Sequence, residues 1–350
     1  MKYKKILFIG LGGAGQRHLR IFKDILPKES KFFAFRSKST TPLLNSDFTV
    51  NSKSTLKKEY NLTELDSVES AFSIKPDLTV ISTPSSLHVE YMMKAVENGS
   101  AVFVEKPWSN NLNNFTEFRD LIINKNTAFN ISFQRRYDTK ISKVNKLIKD
   151  GKIGKPISAS FNVFSNVPFW HPYEDWKKLY AVNAKMGGGV LLTEIHEIDL
   201  VSWFFGIPDK VFCSGGNRSE EKLDVEDTVQ MTLIYKDFSV QITLCFMHKK
   251  QSRNFHIAGS SGDITWDGST NKLTFSSFDD KNNSFNDNES TTNDDMFYNQ
   301  ARKFINDWSL DDTKLSLNSA SCSLAIVEAA KKSIISNQIE KISLKNIINI

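Results

Sequence analysis

Residues 5–18 read Lys-Ile-Leu-Phe-Ile-Gly-Leu-Gly-Gly-Ala-Gly-Gln-Arg-His, and this stretch decides the fold. Lys5 to Ile9 is a short β-branched and aromatic run of the kind that forms a buried parallel strand. It leads directly into Gly10, Gly12 and Gly15, spaced G-x-G-x-x-G with Gly13 and Ala14 inside the turn, and then into a helical pattern from Gln16 to Leu26. Gly10 turns the chain out of the strand, Gly12 lets backbone approach a pyrophosphate, and Gly15 lets the helix close on the strand. The helix N-terminus then attracts the phosphates. A strand before and a helix after are the context that makes this glycine pattern an expected dinucleotide site.

Outward from this turn, strand and helix signals alternate to about residue 132. Strands are expected at Phe32–Phe35, Asp77–Ser82, Ala101–Glu105 and Ala128–Phe133, with a helix at Leu87–Asn98 closed by Gly99. Such alternation makes a doubly wound parallel sheet. After a helix at Lys140–Asp150 the character changes. Strands are expected at Ile157–Val163, Lys210–Cys213, Asp227–Tyr235, Phe238–Phe246, Asn254–Ala258 and Asp263–Trp266. Several alternate in period 2, as an antiparallel sheet with one solvated face does. One helix, Val190–Phe205, interrupts them. Ser276–Asp295 is rich in Asn, Asp and Ser and reads as a solvated loop, followed by helices at Asp295–Trp308 and Ser316–Ser336. The expected fold is α/β: a Rossmann domain over residues 1–126, then an α+β substrate and oligomerisation domain over 127–350 with a large, mostly antiparallel open sheet.

A length of 350 residues favours two domains, and 40% hydrophobic residues suffice for two cores. The net charge of +5 is small and the lysines are scattered, so no basic stripe marks a nucleic-acid partner. Cys213, Cys245 and Cys322 lie far apart without C-x-x-C spacing and read as buried thiols in a reducing compartment. Met1 to Lys5 imitates the start of a signal peptide, but the apolar run ends at Ile9 with no cleavage site. No stretch approaches the roughly 20 apolar residues that span a bilayer. A soluble, cytoplasmic protein with no membrane partner is expected.

Three segments bear candidate chemistry. Thr83-Pro84, with His88 beyond, follows one parallel strand at its carboxyl edge, where ligands sit in open α/β sheets. Glu105-Lys106-Pro107 ends the next strand at the same edge, and the proline restricts Lys106 to an extended conformation or allows a cis bond. Gly187-Gly188-Gly189 precedes a helix on which His196, Asp199 and Trp203 share one face. A histidine so placed is by default a satisfied core residue; the glycine run and nearby carboxylate raise its standing. A fourth segment, Pro168 to Trp176 with Trp170, His171 and Tyr173, suits sugar recognition, and equally a loop packed on the first domain. A metal site on His171, Glu174 and Asp175 is weaker, because no further histidine lies nearby. Arg135, Arg136 and Lys185 suit an anionic substrate or a solvated surface.

Together these segments, with Arg17-His18 and Gln134-Arg135-Arg136, resemble the glucose–fructose oxidoreductase/inositol dehydrogenase family (Gfo/Idh/MocA) of NAD(P)-dependent sugar oxidoreductases, across essentially the whole chain. The resemblance implies that Lys106 polarises a reacting hydroxyl and that His196 removes its proton as hydride leaves for nicotinamide. It implies that Thr83, Pro84 and His88 line the cofactor, beside the glycine turn and Glu105. It also implies assembly through the second sheet, as a homodimer or homotetramer. Two departures stand out. Many family members carry Asp four residues before the histidine, where this chain has Leu192. On a continuous helix Glu194 and Glu197 point roughly 200° and 100° away from His196, which leaves Asp199 or a residue of another segment to orient it. Second, Phe35 is followed by Arg36-Ser37-Lys38 in place of the acid that binds a ribose 2′-hydroxyl, which favours NADP over NAD. The expected substrate is a sugar, amino sugar, cyclitol or nucleotide sugar, with a role in surface glycans by analogy alone. The rival readings are a cofactor-retaining glycosidase and a non-enzymatic regulator on the same fold.

Overall fold

The computed structural model of the protein describes residues 3–36, 41–289 and 292–343. The apolar run that opens the chain forms β1 (Lys5–Ile9), and the glycine turn leads into α1 (Gly13–Ile25). The chain continues through β2 (Lys31–Phe35), α2 (Leu56–Tyr60), β3 (Leu62–Leu65), α3 (Val68–Ser73), β4 (Leu78–Ile81), α4 (His88–Glu97), β5 (Ala101–Glu105), α5 (Phe115–Asn124) and β6 (Phe129–Ser132). The six strands are all parallel, in the order β3-β2-β1-β4-β5-β6. Strand order reverses between β1 and β4, and a crevice opens there at the strands' carboxyl ends. Both faces are covered, which is why β1, β4 and β5 read as continuous apolar runs. Leu7 and Ile9 face Met92 of α4 and Phe118 of α5, whereas Ile6 and Phe8 face Leu19 and Phe22 of α1.

Beyond β6 come α6 (Thr139–Lys149), β7 (Pro156–Asn166), α7 (Val190–Thr193), α8 (His196–Phe205), β8 (Lys210–Gly216), β9 (Thr228–Ile234), β10 (Ser239–Cys245) and β11 (Met247–Gly259). They are followed by β12 (Gly262–Asp267), β13 (Lys272–Ser277), β14 (Phe285–Asp287), α9 (Asp295–Asn306), α10 (Leu310–Ser336) and β15 (Glu340–Lys341). These nine strands form one sheet, β14-β13-β12-β11-β7-β10-β9-β8-β15, antiparallel throughout except where β7 and β10 run parallel. One face buries Phe161, Val163, Met231, Ile242, Phe255 and Trp266 in the cluster that holds Ile198, Val201 and Phe204 of α8. The other presents Ser160, Asn162, Thr232 and Thr243.

The boundary expected at residue 126 falls ahead of β6, the sixth strand of the first sheet. The two halves are also tied by the C-terminal helices. α9 returns to the first sheet, where Phe304 is fully buried 5.5 Å from Phe103 and 5.0 Å from Trp308. α10 packs on both sheets and satisfies backbone groups of each: Thr313 and Ser316 accept from the N–H groups of Phe129 and Ile131 in edge strand β6, and Ser333 from that of Cys213 in β8. The segment read as a loop from Ser276 holds the end of β13 and all of β14, because polar side chains suit a strand at the solvated margin of a sheet. The three thiols are buried. Among the described residues no helix is long and apolar enough to cross a membrane.

Phe304→Ala should destabilise the protein by about 3–5 kcal/mol in urea unfolding, the usual cost of deleting a core phenylalanine. A loss below about 1 kcal/mol would show that α9 merely lies on the sheet.

Candidate active site at the sheet edge

The glycine turn has the geometry its sequence implies. Gly10 sits at φ +86°, and a side chain on Gly15 would fall 2.3 Å from the Gly10 carbonyl oxygen, so α1 closes on the end of β1 only because Gly15 has none. α1 starts at Gly13 with Gly12 as its N-cap, no side-chain cap among the described residues and no acid in its first turn. Its N–H donors are those that a phosphate takes. Ala14 is exposed on that turn. Across the crevice lies Thr83, whose Oγ1 is buried without a hydrogen-bond partner among the described residues. These features fit a dinucleotide. At the end of β2, Arg36 donates to the Thr41 carbonyl at 2.7 Å and lies 3.6 Å from Glu64. Ser37 lies outside the described residues.

Two neighbours expected at the cofactor instead brace the strand ends. His88 is buried with its ring nitrogens 2.8 Å from the carbonyls of Thr83 and Pro107, which ties the turn at Thr83-Pro84 to the cis Lys106–Pro107 peptide. Glu105 turns inward to His18 of α1 at 2.6 Å. Burial raises the Glu105 pKa, but His18 and Lys106 outweigh it and hold the carboxylate below its usual range.

Lys106 meets the second half of the chain. Its Nζ donates to the Thr193 carbonyl at 2.7 Å, at the end of α7. The single helix expected over Val190–Phe205 is in fact two, with Glu194 at φ −100° and ψ 32° separating α7 from α8. His196 therefore opens α8. Its Nε2 accepts from the Gln134 amide at 3.3 Å, and Nδ1 is buried with no partner among the described residues. Burial, then the charges of Lys106, Arg135 and Arg253, push its pKa well below 6.5 and hold the ring neutral.

Asp199, expected to orient His196, does not. Both its oxygens pair with Arg136, at 2.8 and 2.7 Å. The break also removes the continuous-helix angle assumed between Glu194 and His196, whereas Glu197 stays beside His196 on α8, roughly 100° around it. Arg253 of β11 reaches Glu194 at 2.5 Å and Glu197 at 3.5 Å, and Ser165 donates to Glu194 at 2.7 Å. Burial raises both carboxyls; at Glu194 Arg253, the Ser165 hydrogen bond, Lys106 and Arg135 together outweigh it, whereas Glu197 stays above its usual range. Arg253 escaped the reading because polar Met247–Arg253 lacks the alternation that marked the rest of β11.

The aromatic segment divides. Trp170 lines a cavity of about 470 Å³ with Arg135, Ser165, Glu194, Arg253 and Trp266. His171 and Tyr173 do not line it. They stack on each other 5.2 Å apart, His171 lies 2.8 Å from Glu174, and the Tyr173 hydroxyl lies 3.1 Å from where a Gly13 side chain would begin. The three glycines abut protein: a side chain on Gly189, at φ +105°, would meet the Glu226 carboxylate. Among the described residues no three His, Cys, Asp or Glu side chains cluster to hold a metal ion.

A Rossmann crevice joined to an open sheet defines a class of nucleotide-dependent oxidoreductases, and the comparisons agree. Residues 4–133 match the oxidoreductase family with an NAD-binding Rossmann fold, and residues 141–265 match the GFO/IDH/MocA C-terminal domain. The chain belongs to the GFO/IDH/MocA family. It is 28% identical over 164 residues to an uncharacterized oxidoreductase of Streptococcus pneumoniae, covering 47% of this chain and 43% of that protein. It is also 28% identical over 178 residues to a 2,7-anhydro-N-acetylneuraminate hydratase of Mediterraneibacter gnavus, covering 51% and 46%. Each match spans under half of the relative's length. The structure of a myo-inositol 2-dehydrogenase from Lactobacillus plantarum superposes with a TM-score of 0.75 at 20% identity, covering 98% of this chain and 100% of that one.

The depressed His196 pKa has a consequence for stability. Between the folded value and 6.5 the unfolded chain binds a proton that the folded chain does not, so stability falls as pH falls through that window. The difference in unfolding free energy between wild type and His196→Gln should shrink from about pH 7 to about pH 5, by at most about 1.4 kcal/mol per pH unit. Parallel urea profiles for the two proteins would contradict a neutral His196.

Proposed function

We propose that the protein is an NAD(P)-dependent oxidoreductase that moves hydride between nicotinamide and a ring carbinol of a sugar, amino sugar or nucleotide sugar. The observation that carries this reading is the meeting of Lys106 and His196 at the carboxyl edge of the first sheet, beside the glycine turn. The cofactor, cradled by Gly10 to Gly15 and Thr83, supplies the hydride acceptor or donor. The Lys106 ammonium binds the reacting oxygen and stabilises negative charge growing on it. The neutral ring of His196 takes the hydroxyl proton; its depressed pKa keeps it unprotonated and so available at neutral pH. The relative named for an anhydro sugar acid and the neighbour named for an inositol support a polyhydroxylated substrate.

Lys106→Met and His196→Gln should each lower kcat by about 10²–10⁴-fold, while cofactor affinity is retained, in nicotinamide absorbance assays over a panel of sugars. Turnover within twofold of wild type in both variants would remove these residues from the chemistry.

Arg36, in place of the usual acid, supports a preference for NADP. A guanidinium binds a 2′-phosphate through charge-assisted hydrogen bonds. Arg36→Ala should weaken NADPH binding about tenfold or more and NADH binding little, in nicotinamide fluorescence titrations. Equal losses for both would place Arg36 on the adenine instead.

A further inference from the structure

We infer that Arg135 binds a carboxylate on the substrate, so that the sugar this site accepts is an acidic one. The inference rests on the hydride-transfer reading above and adds the charge of the substrate to it.

Arg135 follows β6 and lines the cavity of about 470 Å³, a volume in the range of small-molecule sites. Its guanidinium differs from every other one nearby. Arg253 is taken by Glu194 and Glu197, and Arg136 by both oxygens of Asp199. Among the described residues Arg135 has no hydrogen bond or ion pair to its side chain, and its Nε is buried without a partner. Burial and the neighbouring Arg253 charge lower its pKa to about 10. The residue as a whole is half-buried, but an Nε withdrawn from water without an acceptor is costly, and a ligand that supplies one relieves that cost.

The charges around it fix what the acceptor is. Lys106, Arg135 and Arg253 surround His196 and are opposed by Glu194 and Glu197. The other acid on the cavity wall, Asp138, is committed to the start of α6, where it accepts from the N–H groups of Lys140 and Ile141. Asp138 still acts on Arg135 through its charge, so cations and carboxylates balance in number, and what is missing is a direct partner: none of these carboxylates pairs with the Arg135 guanidinium. A carboxylate brings one charge and two coplanar oxygens that match the edge of a guanidinium. A phosphate monoester brings about −1.5 to −2, more than the single free guanidinium balances. Trp170 and Trp266 give apolar walls for a ring, and Ser165 and Gln251 give polar groups for its hydroxyls.

Calorimetric titration of the NADPH- or NADH-loaded protein tests this without relying on turnover. The probes are D-glucuronate, D-galacturonate and N-acetylneuraminate, their neutral counterparts D-glucose, D-galactose and N-acetylmannosamine, and D-glucose 6-phosphate. At least one acid should bind about 10–100-fold more tightly than its neutral counterpart. Arg135→Met should abolish that preference, Arg135→Lys should keep part of it, and neither should move the affinity for neutral sugars. The inference is overturned if no acid binds, if neutral sugars or the phosphate ester bind as well as the acids, or if Arg135→Met weakens acids and neutral sugars alike. The wild-type ranking alone decides the matter should the variants fail to fold. Acid binding without hydride transfer refutes the reaction assigned above and leaves this inference standing. Hydride transfer from neutral sugars that Arg135→Met does not alter does the reverse.

Discussion

Glu194 stands outside both helices that flank it, and its ion pair with Arg253 holds it there. The rest of the site is arranged around that break. Because α7 ends at Thr193, its last carbonyls have no helical partner, and the Lys106 ammonium takes one of them. Because α8 begins afresh at His196, the ring enters the crevice beside Gln134 and not at the angle a continuous helix would give it. Removing one member of such a buried pair costs about 3–5 kcal/mol, since the survivor is left charged and unpaired. Strand β11, two short helices and the end of β5 thus meet through one carboxylate.

The parts of the fold set by local pattern were legible in the chain. Lys5–Ile9, the glycine turn and the alternation to residue 132 marked five of the six strands of the first sheet, all but the short edge strand β3, and period-2 alternation marked most of the second. What escaped was set by tertiary contacts. Nothing in Val190–Phe205 marks a break, because Glu194 is a good helix former and the Arg253 it pairs with lies 59 residues away in sequence. Asp199 has the spacing to orient His196, yet Arg136 claims it, and spacing carries no information about a competing partner. The Pro168–Trp176 segment showed its chemistry but not its address. Trp170, on the cavity, is directly followed in sequence by His171, which with Tyr173 lies over the glycine turn.

Electrostatically the site is a cationic enclosure around a neutral ring. Three positive side chains and exclusion of water both disfavour an imidazolium. In the proposed reaction the same field favours negative charge on the substrate oxygen, so one arrangement serves acid–base and electrostatic needs together. A preference for an acidic substrate would follow from the one guanidinium here, Arg135, that no carboxylate pairs with.

The hydroxyls of α10 bear on how such a chain is inherited. Thr313 and Ser316 satisfy two N–H groups of the edge strand of one sheet, and Ser333 one N–H group of β8 in the other, so backbone donors of both sheets depend on one helix. Separated from that helix, β6 would present unpaired N–H groups, an invitation to pair with another chain. The nucleotide-binding half is therefore no free-standing cassette to be exchanged whole between enzymes. New specificities have to arise within the loops that surround the crevice, while the two sheets and the helix that closes them travel as a unit.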